Sequence, residues 1–310
     1  MNGRVFRSTG SWYEIVDEHG QRHQGRLRGK LKLKGVKVTN PVAVGDRVVF
    51  EPESEAQTAE ATVVITDVLP RDNYIIRKSP HKTAHGHILA ANLDQAVLIA
   101  TLTLPRTSLG FIDRFLVSAE AFRIPGVLVF NKQDLLDDES RAYITELEDL
   151  YEALGYRCLK TSAVTGEGLE ALRALLTGKT SLISGHSGVG KSSLVNALAP
   201  DLNLRTQAVS TYANKGVHTT TFAEMFTLAD DTYLIDTPGI KELGMIDTEP
   251  EEISHYFPEM RDRLGDCRFH NCTHQHEPGC AVVAAVEAGE IALTRYYNYL
   301  GMISEEDNRR

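Results

Sequence analysis

The octet Gly185-His186-Ser187-Gly188-Val189-Gly190-Lys191-Ser192 follows an apolar run at 181–184 and leads into the helical pattern of 191–198. It matches G-x-x-x-x-G-K-[ST] in the strand–loop–helix setting that motif needs. Its glycines let backbone N–H groups turn inward around phosphate oxygens. Lys191 is expected to reach the β- and γ-phosphates, and Ser192 to ligate Mg²⁺. This identifies a nucleoside triphosphatase without naming the base.

A second constellation names it. Asn131-Lys132-Gln133-Asp134 directly follows the apolar run 126–130. In the pattern N-K-x-D the aspartate carboxylate, an acceptor only, pairs with the N1–H and exocyclic amine of guanine. Adenine cannot supply that pair. The asparagine bridges to the phosphate loop and the lysine packs over the base. Thr161-Ser162-Ala163, after the run 157–160, supplies a backbone N–H to the base, with Ser162 and Ala163 as candidate contacts. Asp236-Thr237-Pro238-Gly239 follows 233–235, placing a carboxylate near Mg²⁺ and the Gly239 N–H near the γ-phosphate. Between the phosphate loop and this motif lies Lys215-Gly216-Val217-His218-Thr219-Thr220-Thr221, where a threonine is expected to offer hydroxyl and backbone to Mg²⁺ and γ-phosphate.

The order of these motifs is permuted. Ordinary GTPases run from the phosphate loop to the T-S-A element. Here N-K-x-D comes first and D-x-x-G last. The segment after D-x-x-G therefore runs straight into the C-terminal part of the chain, and gain or loss of the γ-phosphate is expected to move that part.

Cys267-x4-Cys272-x-His274-x5-Cys280 offers three thiolates and an imidazole, a full set for tetrahedral Zn²⁺ with no ligand position left open, hence a structural site. His270 and His276 are nearby alternatives for the nitrogen ligand. The fourth cysteine, Cys158, stands apart. Clustering of this kind points to metal rather than disulfides.

The elements that must position these residues change character along the chain. Residues 1–70 hold β-prone segments at 3–5, 12–16, 24–27, 46–50 and 61–68, separated by turn signals, which suits a small closed barrel of the OB type, an SH3-like barrel being the alternative that the pattern alone leaves open. The basic, His-rich stretch 71–90 reads as a connector. Residues 91–245 alternate apolar strands (96–100, 126–130, 157–160, 181–184, 233–235) with helical stretches (111–122, 143–154, 191–198), implying a mostly parallel sheet covered on both faces. Residues 246–310 turn acidic and helical and contain the Cys/His cluster. The expected architecture is thus multidomain: barrel 1–70, connector 71–90, α/β circularly permuted P-loop GTPase domain 91–245, and helical zinc-binding domain 246–310.

The 310 residues carry a net charge of −9, which argues against a polyanion binding over the whole surface. Residues 1–40 nevertheless hold nine Lys/Arg against three acids, so an RNA can meet the N-terminal part. The start MNGRVFRSTG lacks an apolar signal-peptide core, and no run of about 18 apolar residues suggests a membrane span. A cytoplasmic monomer without membrane contact is expected.

The permuted motifs together with CRFHNCTHQHEPGCAV resemble the bacterial small-ribosomal-subunit-dependent GTPases of the RsgA, or YjeQ, family, along nearly the whole chain. The resemblance implies GTP hydrolysis to GDP stimulated by the small subunit and acting late in its maturation, with rRNA as a contact. It selects Thr220 as the Mg²⁺ threonine and Cys267, Cys272, His274 and Cys280 as the zinc ligands. Where many GTPases carry a water-orienting glutamine after D-x-x-G, this chain has Ile240. By resemblance His218 takes that role, an imidazole able to accept from or orient water. Intrinsic turnover is accordingly expected to be low. The competing expectation is an rRNA-binding assembly scaffold that nucleotide merely locks.

Overall fold

The computed structural model describes residues 1–29, 38–53, 62–79, 82–200, 223–236 and 250–304. His218, Thr220, Gly239 and Ile240 lie outside these residues.

Five strands form the N-terminal barrel: β1 Asn2–Ser8, β2 Tyr13–Asp17, β3 Arg22–Leu27, β4 Arg47–Pro52 and β5 Val63–Val68. Period-two burial builds them. In β2 Tyr13 and Ile15 point inward between partly exposed neighbours, as do Val63 and Ile65 in β5. β1 pairs antiparallel with β2 and β4, β3 pairs parallel with β5, and β4 with β5 closes the ring. Its interior holds Val5, Tyr13, Ile15, Val48, Phe50 and Ile65, as an OB-like barrel requires.

The stretch expected to be a connector is a β-hairpin. β6 Tyr74–Ser79 pairs antiparallel with β7 Lys82–Ala91. Its basic and histidine content hid the strand signal. Buried Ile75, Ile88 and Ala90 join the large core shared with the next domain, and that burial decides the conformation.

The central sheet contains β8 Gln95–Ala100, β9 Gly126–Phe130, β10 Arg157–Lys160, β11 Thr180–Ser184, β12 Glu224–Ala229 and β13 Thr232–Asp236. Their order is β10-β9-β8-β11-β13-β12, parallel except for β12. Every residue of β8 and β11 is buried, as expected of strands covered on both faces. Helices α1 Leu109–Ala121 and α2 Asp138–Ala153 cover one face through Ile112, Phe115, Leu116, Ile144 and Tyr151. Helices α3 Leu169–Leu176 and α4 Lys191–Leu198 cover the other through Leu172, Leu175, Leu194 and Leu198. From β8 the chain proceeds to one side of the sheet, and from β11 to the other. The crevice beyond their carboxyl ends is therefore the topological switch point, where ligands bind in open α/β sheets.

The C-terminal part contains α5 Pro258–Arg261, α6 Ala281–Glu287 and α7 Leu293–Ile303 around Phe257, Met260, Val282, Ile291 and Tyr299. Among the described residues no helix is long and apolar enough to cross a membrane.

Candidate functional site: a phosphate loop beside a guanine motif, and a metal knuckle

The phosphate loop leaves β11 at the switch point and enters α4, whose first N–H groups point toward the loop. Two of its glycines are required by contact as well as by backbone. A Cβ on Gly185 (φ +144°) would lie 2.4 Å from the carbonyl oxygen of Ile99 on β8. One on Gly190 (φ +95°) would lie 2.4 Å from Nδ2 of Asn131.

Asn131 is buried at the end of β9 and donates from Nδ2 to the carbonyl of Val189 at 2.8 Å. Its Oδ1 accepts from the Thr161 hydroxyl at 3.1 Å. The Ser162 hydroxyl donates to Asp134 Oδ1 at 2.5 Å and accepts from the N–H groups of Val164 and Thr165. Residues some sixty positions apart in reversed order thus share one edge of the sheet. Ala163 packs against the cluster beneath α3 and α4. Lys132, in a left-handed conformation, donates from Nζ to Leu104 O at 2.5 Å. Gln133 is buried and donates to Phe130 O at 3.0 Å, bracing the loop from below.

Lys191 Nζ donates to the carbonyls of Gly185 and His186 at 2.6 and 2.9 Å. Burial lowers its ammonium pKa and the charge of Asp236 opposes that shift. Burial likewise raises the Asp236 carboxyl, and Lys191 counters it. The last residue of β13 and the phosphate-loop lysine therefore sense each other in a partly dry site. Ser187 and Gly188 are exposed at the loop tip, and Ser192 is half-buried in the first turn of α4.

Sequence reading missed the third wall. Residues 102–107, after β8, lay Pro105 against Gly188, 3.3 Å from a Cβ built there. Phe111 of α1 stacks on His186 with ring centroids 4.0 Å apart. The available signal was positional, a Pro-containing loop at the carboxyl end of a buried parallel strand.

Cys267, Cys272, His274 and Cys280 bring one ligand atom each within 4.8 Å of one another and can hold one metal ion. His274 Nδ1 lies 3.3 Å from Cys280 Sγ and 3.6 Å from Cys267 Sγ, while its buried Nε2 has no hydrogen-bond partner. His270 and His276 are exposed and outside the cluster. Burial pushes the Cys272 thiol up to about 12, raises Cys280 and lowers His274. Buried thiolates this close together are unfavourable without a cation, and a bound cation reverses that preference. The donor set fits a thiophilic divalent ion.

The knuckle backbone is pinned from outside. Tyr296 and Tyr299 of α7 donate to the carbonyls of His274 and Thr273, each at 2.7 Å. Glu277 accepts from Thr273 N and Oγ1, Gln275 N and His276 N. Burial pushes its carboxyl up, but the Thr273 and backbone hydrogen bonds prevail and hold it far below the usual range.

The family model described as RsgA GTPase matches residues 68–246, and that described as RsgA N-terminal domain matches 2–59. The chain is 52% identical over 310 residues, all of both chains, to a Cytophaga hutchinsonii protein named small ribosomal subunit biogenesis GTPase RsgA. The crystal structure of YjeQ from Thermotoga maritima superposes with a TM-score of 0.79 at 40% identity, covering 100% of this chain and 99% of that one. That of YloQ, described as a circularly permuted GTPase, gives 0.73 at 28% identity over 100% and 96% of the two chains. A permuted phosphate-loop fold, an OB-like barrel and matches along the whole length lead to one conclusion: this chain belongs to the RsgA GTPase family.

Proposed function

We propose that this GTPase acts in the biogenesis of the small ribosomal subunit, binding it in the GTP state and leaving after hydrolysis to GDP. The observation that carries the reading is the joining of Asp134 and Ser162 to the phosphate loop through Asn131 in one pocket. A full-length match at 52% identity to a protein named for that process supports the rest. Asp134 reads guanine, Lys132 packs over it, and Ser162 and Ala163 support its edge, with Gln133 bracing the loop. The backbone of 185–190 and the Lys191 ammonium hold the phosphates. Ser192 and Thr220 ligate Mg²⁺, Asp236 acts on it through water, and Gly239 senses the γ-phosphate. His218 orients the attacking water. Zn²⁺ is the ion that suits three thiolates and an imidazole, and its role is to fold the knuckle. The protein works as a cytoplasmic monomer. The barrel (1–70) and the zinc unit (246–310) flank the catalytic domain (91–245) and meet rRNA.

The test is GTP turnover with and without purified small subunits, repeated with ATP. Stimulation confined to GTP is expected. Equal turnover of ATP removes the guanine assignment, and subunit binding without any stimulated turnover leaves only a scaffold. His218→Ala is expected to cut turnover while GTP affinity stays unchanged.

A further inference from the structure

Helix α1 has two attachments. At its amino end the Ser108 hydroxyl caps Phe111 N, and Phe111 stacks on His186 of the phosphate loop. The loop before it is stitched to the end of β8. Thr101 N donates to Thr107 Oγ1 at 3.1 Å, Thr107 N to Thr101 O at 2.8 Å, and Thr101 Oγ1 to Pro105 O at 2.5 Å. Leu104 and Pro105 therefore move with the base of α1, and they touch Lys132 and Gly188.

Along the same helix, Asp113, Val117 and Glu120 face the C-terminal unit. Val117 is part of that unit's core, and Arg261 donates to Glu120 at 2.9 Å. Asp113 is wholly buried. It accepts from Arg295 Nη1 at 2.6 Å, Tyr151 OH at 2.7 Å and Asn298 Nδ2 at 2.5 Å. Arg295, equally buried, turns its other two nitrogens onto Glu259 at 2.7 and 3.0 Å and lies 4.6 Å above the Phe257 ring. Two tyrosines of the same helix, Tyr296 and Tyr299, hold the metal-knuckle carbonyls.

A buried ion pair is weak evidence for stability, because desolvation offsets its attraction. What a forked, fully satisfied guanidinium supplies is one orientation. We propose that Arg295, through Asp113, is a positioning residue for nucleotide binding: it seats the C-terminal metal unit on α1 and so sets the wall formed by Leu104, Pro105 and Phe111 against the phosphate loop. The nucleotide pocket and the metal knuckle are then coupled, and coupling between two binding events is reciprocal. The inference rests on the assignment of the nucleotide site to the phosphate loop.

Arg295→Lys keeps the charge but loses the fork. The expected result is GDP release accelerated at least about fivefold and a raised KM for GTP, with kcat within about twofold of native and metal content unchanged. In the native protein, GDP is expected to slow amide exchange across 293–303, a measurement that needs no variant, and Arg295→Lys is expected to abolish that slowing. GDP release within twofold of native in Arg295→Lys, or native exchange at 293–303 indifferent to GDP, overturns the proposal. A Lys191→Ala variant that binds GDP as tightly as native overturns the nucleotide-site assignment instead.

Discussion

At the scale of single residues, the proposed base choice comes down to one carboxylate, Asp134, and its orientation. Ser162 holds Asp134 through a hydrogen bond to a charged acceptor, a class that contributes about 1.5–3 kcal/mol. Ser162→Ala should weaken GTP binding at least about tenfold, measurable by fluorescent-nucleotide titration. Asp134→Asn turns one acceptor into a donor. GTP should be lost, and xanthosine triphosphate, with a carbonyl where guanine has its amine, should bind instead. Cys158 presents the opposite case, a residue of reactive type held inert. Burial pushes its thiol up to about 12. Thiol titration of the folded chain should therefore leave Cys158 unreacted until denaturant is added, while the three knuckle cysteines become reachable once a chelator removes the metal and the knuckle loosens.

At the scale of elements, the phosphate loop is shaped by what lies beneath it. Gly190→Ala would strain a left-handed backbone and drive a methyl into Asn131. The expected outcome is a loss of GTP affinity together with a lower melting temperature, both measured on the purified variant, since the same contact serves loop and fold. The knuckle depends on its ion in a comparable way. Glu277 and the two α7 tyrosines hold the backbone, but two of the ligands, Cys272 and Cys280, pack as buried thiols beside the buried His274 ring. Stripping the metal should lower the melting temperature and raise amide exchange in 267–280 before the barrel is affected. The pH dependence of the Glu277 contribution has a definite sign. Its folded pKa is depressed, so its stabilisation is full above the ordinary glutamate range and is lost as pH falls below that range toward the folded value.

At the scale of the molecule, barrel and catalytic sheet are continuous. Arg7 of β1 pairs with Glu224 of β12, Arg4 donates to Thr180 and lies over the Tyr233 ring, and Phe6 meets the same ring edge-on at 5.8 Å. Phe6 belongs to one core with Met225 and Ile235. Phe6→Ala should cost about 3–5 kcal/mol, and calorimetry should show barrel and sheet melting together both before and after the change. β12 and β13 lie in the chain between Thr220 and Gly239, the residues proposed to meet Mg²⁺ and the γ-phosphate, and the barrel is bonded to the first of these strands. The C-terminal unit is likewise bound to α1 by a buried ion pair. Any nucleotide-driven movement of that unit must carry α1 with it or break that pair.

The sequence by itself determined the chemistry of both centres. Phosphate-loop, guanine and Cys/His motifs are local strings whose residue types follow from what they bind, and the apolar runs before the first two placed each of them at a strand end. It also determined the barrel strands and the parallel strands of the sheet, because alternation and continuous burial leave a visible period, but not the antiparallel strand β12 at 224–229. Only the tertiary structure decided that the expected connector carries the paired strands Tyr74–Ser79 and Lys82–Ala91, that Pro105 and Phe111 lie against the phosphate loop, and that Asp113 meets Arg295 across the domain seam. Those features depend on which surfaces meet after folding. A contact between residues 182 positions apart leaves no period, spacing or composition in a single chain to betray it.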